Sequence, residues 1–109
     1  AKLSSNTIVD FPTKAQLHLF LKYMEQRNNE MVVIQEMKEA GLIKRVVSQI
    51  WNATNAYRIG ITYEYKDEES FAKFQQILKE FMEIPETKEL LVGAKISSSR
   101  GIVLFENNF

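Results

Sequence analysis

The run Tyr57, Ile59, Ile61, Tyr63, Tyr65 alternates residue by residue with Arg58, Gly60, Thr62, Glu64 and Lys66, then passes into Asp67-Glu68-Glu69-Ser70. A period of two places each set on its own face of a strand. An apolar face opposed to a charged one is what an antiparallel sheet needs when helices cover a single side. This constrains the fold more tightly than any other stretch, and it carries no catalytic signature.

The remaining elements arrange themselves around that strand. Thr7 to Phe11 reads as strand one, closed by Pro12, which lacks a backbone donor and disfavours helix in the residue before it. Thr13 followed by Gln16 has capping-box spacing, and Leu17, Phe20, Leu21 and Met24 form the apolar stripe of helix one. Beyond Met24 the stripe falls out of phase. Arg27 and Asn28 stand where apolar residues are due, and Met31, Ile34 and Met37 resume on a rotated face, so a kink or break is expected at Arg27 to Glu30. Gly41 suits a left-handed cap. Leu42 to Ala53 is rich in β-formers, with Leu42, Val46 and Ile50 in one alternating set and Ile43, Val47 and Trp51 in the other, so both faces are expected to be covered. Thr54-Asn55 turns it into the Tyr57 strand as a hairpin. Asp67 caps helix two, whose stripe is Phe71, Phe74, Leu78 and Phe81. Pro85 stops that helix, Glu86 to Leu91 makes a further turn or two, and Lys95 to Glu106 is the last strand.

Composition narrows the functions. A chain of 109 residues, 45% hydrophobic, is read as one domain over residues 1–109. It has no cysteine, which excludes thiolate metal sites, disulfides and thiol catalysis. Fourteen basic and fourteen acidic side chains leave no net charge to gather nucleic acid or an anionic membrane. No apolar run approaches the roughly 20 residues of a membrane span. Polar Ser4, Ser5 and Asn6 stand where a signal peptide would be apolar, so a cytoplasmic location is expected. Asn52-Ala53-Thr54 matches the glycosylation sequon, a triplet common by chance.

The element order is that of an α+β, ferredoxin-like βαββαβ layer: a four-stranded antiparallel sheet with helices on one face. RNA-recognition modules share the plan, but they stack bases on aromatics of the free face. Here that face offers Arg58, Gly60 and Thr62. The long first helix, the hairpin at Leu42 to Lys66, the acidic start of helix two and the short helical segment before the last strand together resemble the dimeric α+β barrel superfamily, which includes antibiotic-biosynthesis monooxygenase-like proteins. The resemblance covers nearly the whole chain as a pattern of elements. It implies a homodimer whose sheets pack face to face. The haem-degrading branch takes its iron ligand from a histidine on the second helix, which has none here, so neither haem nor another cofactor is expected.

Few residues are candidates for chemistry. His18 is the only histidine, so a multi-histidine metal site is impossible. On the flank of helix one it is either a plain surface residue or the polar anchor of a pocket. Phe20, Tyr23, Met24, Trp51, Tyr63, Phe74 and Leu78 would line a cavity between helices and sheet, although aromatic stripes are more often plain core. Four methionines add adaptable lining. Arg58 and Glu64, on the free face, would pair across a covered interface. No carboxylate pair, phosphate loop or nucleophile elbow is present, and no residue is assigned as catalytic.

Three readings follow. The first is a homodimer binding a small fatty-acyl or polyketide-like molecule, with His18 as anchor. The second, implied by the resemblance, is a cofactor-free monooxygenase or cyclase. The third is a structural dimer with a filled core.

Overall fold

The computed structural model describes residues 2–52 and 54–109. Its elements run β1 (Leu3–Phe11), α1 (Lys14–Asn28), α2 (Met31–Glu39), β2 (Leu42–Gln49), β3 (Tyr57–Tyr65), α3 (Glu68–Glu83), α4 (Pro85–Leu90) and β4 (Lys95–Ile102). The sheet order is β2-β3-β1-β4 with antiparallel pairing throughout, the ferredoxin-like arrangement expected from the sequence. β3 and β1 occupy the centre. Ile59, Ile61, Tyr63 and Tyr65 are all buried, and with Val9 and Phe11 of β1 they form the floor on which Leu17, Phe20 and Phe74 pack.

β1 begins at Leu3, four residues before its expected start. Its polar residues are satisfied across the sheet, which is why they did not read as strand. The Ser5 hydroxyl lies 3.4 Å from that of Tyr65, Asn6 accepts from Thr62 at 3.1 Å, and Thr7 meets Ser98 at 2.9 Å.

The first helical segment does break. Asn29 ends α1, and Glu30, with extended φ and ψ, starts α2 without a side-chain cap. Of the second stripe only Met37 is buried, with Val33 half-buried. Met31 and Ile34 face outward. Thr13 accepts from the Gln16 backbone N–H at 3.1 Å. The Gln16 side chain, however, does not complete the capping box. It donates instead to the carbonyls of Leu90 and Val92, both at 2.7 Å, and so ties the far end of α4 to the first turn of α1.

β2 differs most from expectation. Opposite the step from Tyr65 to Glu64 it advances from Leu42 to Lys44, a β-bulge that inserts Ile43 as an extra residue. Leu42 therefore joins the helix side, as does Arg45 opposite Tyr63, while Val46 pairs with Thr62 on the free side. Leu42, Val46 and Ile50 do not share one face. The strand stops at Gln49, and Ile43, Val46 and Val47 are exposed within the single chain because β2 is an edge. The expected strand end at Ala53 lies outside the described residues. β4 likewise ends early, at Ile102, although the Val103 N–H still donates to the Lys2 carbonyl at 2.9 Å. Leu104 and Phe105, within the expected strand, follow it exposed in the single chain.

On the free side of the sheet, Ile8 and Ile50 flank Gly60. Arg58 pairs with Asp10 at 3.2 Å and Glu64 approaches Lys2 at 3.9 Å, so both charges of β3 find partners inside the chain rather than needing each other.

Two caps join β2 and β3 to their helices. Asp67 accepts from both the backbone N–H and the hydroxyl of Ser70 at 2.8 Å, which lowers its carboxyl pKa. Gly41, at φ +93°, accepts from the Lys66 N–H at 3.1 Å and lies against Ser70. A Cβ on Gly41 would collide with the Ser70 side chain, in a backbone region that L residues rarely adopt. Gly41→Ala is expected to destabilise the fold by about 1–3 kcal/mol, measured as a lower urea midpoint with an unchanged slope. Because the Asp67 pKa is depressed in the folded state, its contribution is complete above the unfolded value of about 3.9 and is lost as pH falls through the folded one. Asp67→Asn should accordingly flatten the acid limb of the stability profile.

Candidate functional site

The break between α1 and α2 leaves a hollow that neither helix fills. Met24, Arg27 and Asn28 at the end of α1, with Val33, Glu36 and Met37 of α2, form one wall of a cavity of about 260 Å³. Phe74, Ile77, Leu78 and Phe81 of α3 form the other, and Tyr63 and Arg45 lie at the sheet side. A shallower groove between α1 and β2 shares Met24, Asn28 and Arg45 with it. The two hollows thus meet where the Arg45 guanidinium donates to the Asn28 side-chain oxygen at 2.7 Å.

Of the residues expected to line a pocket, Met24, Tyr63, Phe74 and Leu78 come together here. Phe20 and Tyr23 are core: both are buried, and the Tyr23 hydroxyl is held at 2.7 Å by that of Thr87, a side chain with no exposed surface. Trp51 is a correction. It lies past the end of β2 in the hairpin loop, 91% exposed, because the strand stops before it can be carried over the core. His18 is a second correction. It sits on the exposed face of α1, and it does not line the cavity or anchor anything in it.

Sequence reasoning missed Arg45, Arg27 and Ile77. Arg45 was hidden by the bulge, which cannot be read from alternation. Arg27 marks the broken stripe, and its guanidinium lies 5.8 Å from the Tyr23 ring centre and 5.7 Å from that of Phe81, bridging α1 to α3. Ile77 is a flanking member of the α3 stripe.

The polar character of the site is concentrated at Tyr63. Its side chain is 6% exposed and wedged against Tyr65 and Phe74, with ring centres at 6.1 and 5.1 Å. None of the side-chain hydrogen bonds among the described residues engages its hydroxyl, whereas the neighbouring Tyr65 hydroxyl has Ser5. Burial pushes the Tyr63 pKa up to about 12, against the opposing pull of Arg45, so the group is a neutral O–H donor through the physiological range. Arg27 and Arg45 are both half-buried, and neither has a carboxylate within ion-pair distance among the described residues. Glu36 and Glu80 touch the same cavity but are exposed at its rim. The described residues hold no cluster of three or more histidine, cysteine or acidic side chains suited to a metal ion.

The site can therefore hold apolar matter and offer one hydroxyl donor beside a cation. A tyrosine whose pKa is raised by folding contributes stability that is complete below its unfolded value of about 10 and is lost as pH rises through about 12. Chemical denaturation across that range should show falling stability in the native chain and a shallower fall in Tyr63→Phe; the residual slope belongs to Tyr65, also raised by burial.

A family model described as Domain of unknown function (DUF6974) matches residues 1–103. Comparison with curated protein sequences finds no match. Among solved structures, a dimeric ferredoxin-like protein from an uncultured marine organism is 33% identical, with a TM-score of 0.89 over 97% of this chain and 98% of its own. A second dimeric ferredoxin-like protein, also from an uncultured marine organism, is 28% identical, with a TM-score of 0.86 over all of both chains. A monooxygenase of Streptomyces coelicolor, solved with nanaomycin D, shares the fold alone. It is 11% identical, with a TM-score of 0.61 over 97% and 92% of the two chains. With its matched span covering all but the last few residues, and with the sheet order already described, this chain belongs to the DUF6974 family and has the ferredoxin-like fold of the antibiotic-biosynthesis monooxygenase-like proteins.

Proposed function

We propose that the protein is a homodimer that binds a small hydrophobic molecule in the cavity between α1, α2, α3 and the sheet. The observation that carries the ligand reading is an apolar-walled hollow at whose sheet side the otherwise buried Tyr63 offers a hydroxyl that makes no side-chain hydrogen bond among the described residues. A ligand that accepts from Tyr63 gains a hydrogen bond worth about 0.5–1.5 kcal/mol net. The mixed Met24, Met37 and Leu78 wall is adaptable in shape, which suits an acyl chain or a small ring better than a sugar.

Two lines support the dimer. The relatives with 33% and 28% identity are both described as dimeric ferredoxin-like proteins. The free face of the sheet, with Ile8 and Ile50 around Gly60 and the exposed Val46 nearby, is uncovered in the single chain. Its charged residues Arg58 and Asp10 are already paired, which lowers the desolvation cost of covering them. An interface of this kind would bury on the order of 2,000 Å² or more.

Native mass spectrometry of the purified protein, followed by denaturing extraction, reads both claims. A dimer releasing a hydrophobic molecule supports the reading; a monomer overturns the assembly. Ile8→Arg, at the middle of the free face, should give a folded monomer by light scattering, with its helical circular dichroism retained. Leu78→Trp, which fills the cavity, should abolish the co-purified molecule and leave the dimer intact.

A further inference from the structure

Resting on the reading of the cavity as a ligand site, we infer that its occupant is an amphipathic acid: a hydrophobic tail held between α2 and α3, and a carboxylate at the mouth bound by Arg45 and the Tyr63 hydroxyl. Register places these two side chains together, because Arg45 and Tyr63 are direct cross-strand partners on the helix side of the sheet. Such partners stand about 4.5–5.5 Å apart at Cβ. Arg45 lines both the cavity and the adjoining groove, so a head group there has access to water while the tail lies along the apolar wall.

The donors are available. A guanidinium carries five N–H groups, and among the described residues the one side-chain hydrogen bond Arg45 makes is to Asn28, which steadies it without neutralising it. Asn28 contributes an acceptor there, so the positive charge remains for a ligand. Tyr63 adds an O–H donor, and two such donors converging beside an apolar wall match the acceptor-only oxygens of a carboxylate. A primary amine finds no equivalent site. The carboxylates at the cavity, Glu36 and Glu80, are exposed at its rim, and the Arg45 guanidinium beside Tyr63 repels an ammonium. The size of the hollow bears on the tail. At about 260 Å³ it falls just below the roughly 300–1,000 Å³ of common small-molecule sites, so it suits a medium acyl chain or single ring rather than a fused polycycle.

Titration calorimetry with decanoate, decanol and decylamine holds the tail constant and varies the head. Decanoate is expected to bind at least about tenfold more tightly than decanol, the ratio one charge-assisted hydrogen bond provides, and decylamine to bind most weakly. Arg45→Gln should bring decanoate and decanol to within about threefold, and Tyr63→Phe should narrow the gap part of the way. Tyr63→Phe keeps the ring and Arg45→Gln removes the charge while keeping a polar stem, and the melting curves of both variants check folding. Equal binding of acid and alcohol, or a gap that survives Arg45→Gln, would overturn the carboxylate while leaving the hydrophobic site standing. A preference for the amine would reassign the head group to Glu36 and Glu80. Absence of binding by all three would sink the ligand site itself.

Discussion

Phe74 of α3 packs against both Tyr63 and Tyr65, at 5.1 and 5.6 Å between ring centres, and much of the molecule depends on this contact. The three side chains are buried, the two tyrosines stacked on each other and Phe74 tilted against both, a geometry that aromatic quadrupoles favour. Through it the central strand is locked to the third helix. Phe71 closes the same cluster edge-on to Tyr65 at 5.2 Å, with Arg100 of β4 over its outer face at 5.1 Å. Helix three is thereby fixed across the sheet from its centre to the β4 edge. The position of the cavity is a consequence, since the wall of α3 is set by this cluster while the opposite wall is set by where the first helical segment breaks.

How much of this was legible follows from which signals are local. Alternation from Tyr57 to Tyr65, the Asp67 cap and the loss of phase after Met24 are each written in a handful of adjacent residues, and the architecture follows from them. Strand one was underread because Ser4, Ser5 and Asn6 are polar. The fitness of Ser5 and Asn6 for a strand lies in partners more than fifty residues away, Tyr65 and Thr62. The candidate site divides in the same manner. Met24, Phe74, Leu78 and Tyr63 could be placed by period alone, whereas Trp51 and His18 could not. An aromatic residue beyond the last ladder pair has nothing to carry it over the core, and a histidine one position off an apolar stripe points outward.

The first helix end holds the elements around the cavity together. Arg27 spans the rings of Tyr23 and Phe81, while Asn28 holds Arg45 from the neighbouring turn. Adjacent residues thus tie α1 to α3 on one side and to β2 on the other. At the opposite end of the molecule Gln16 fastens α1 to the close of α4, and Tyr23 with Thr87 fastens its middle. Helix one is thus secured along its length by polar contacts in addition to its buried stripe of Leu17, Phe20 and Met24, and space beneath its last turn can remain unfilled.

The bulge at Ile43 has a consequence for how such a chain can vary. In an unbroken strand every second residue shares a face, so a core position and a ligand-facing position on that face are bound to one parity. The extra residue breaks that parity between Leu42 and Arg45. Leu42 closes the rim of the core, and Arg45, three residues later rather than two or four, faces the cavity beside Tyr63. Evolution can therefore exchange the side chain at 45 without shifting the register that seats Leu42. Loss of a single residue there would force the strand to choose between sealing its core and presenting its cation.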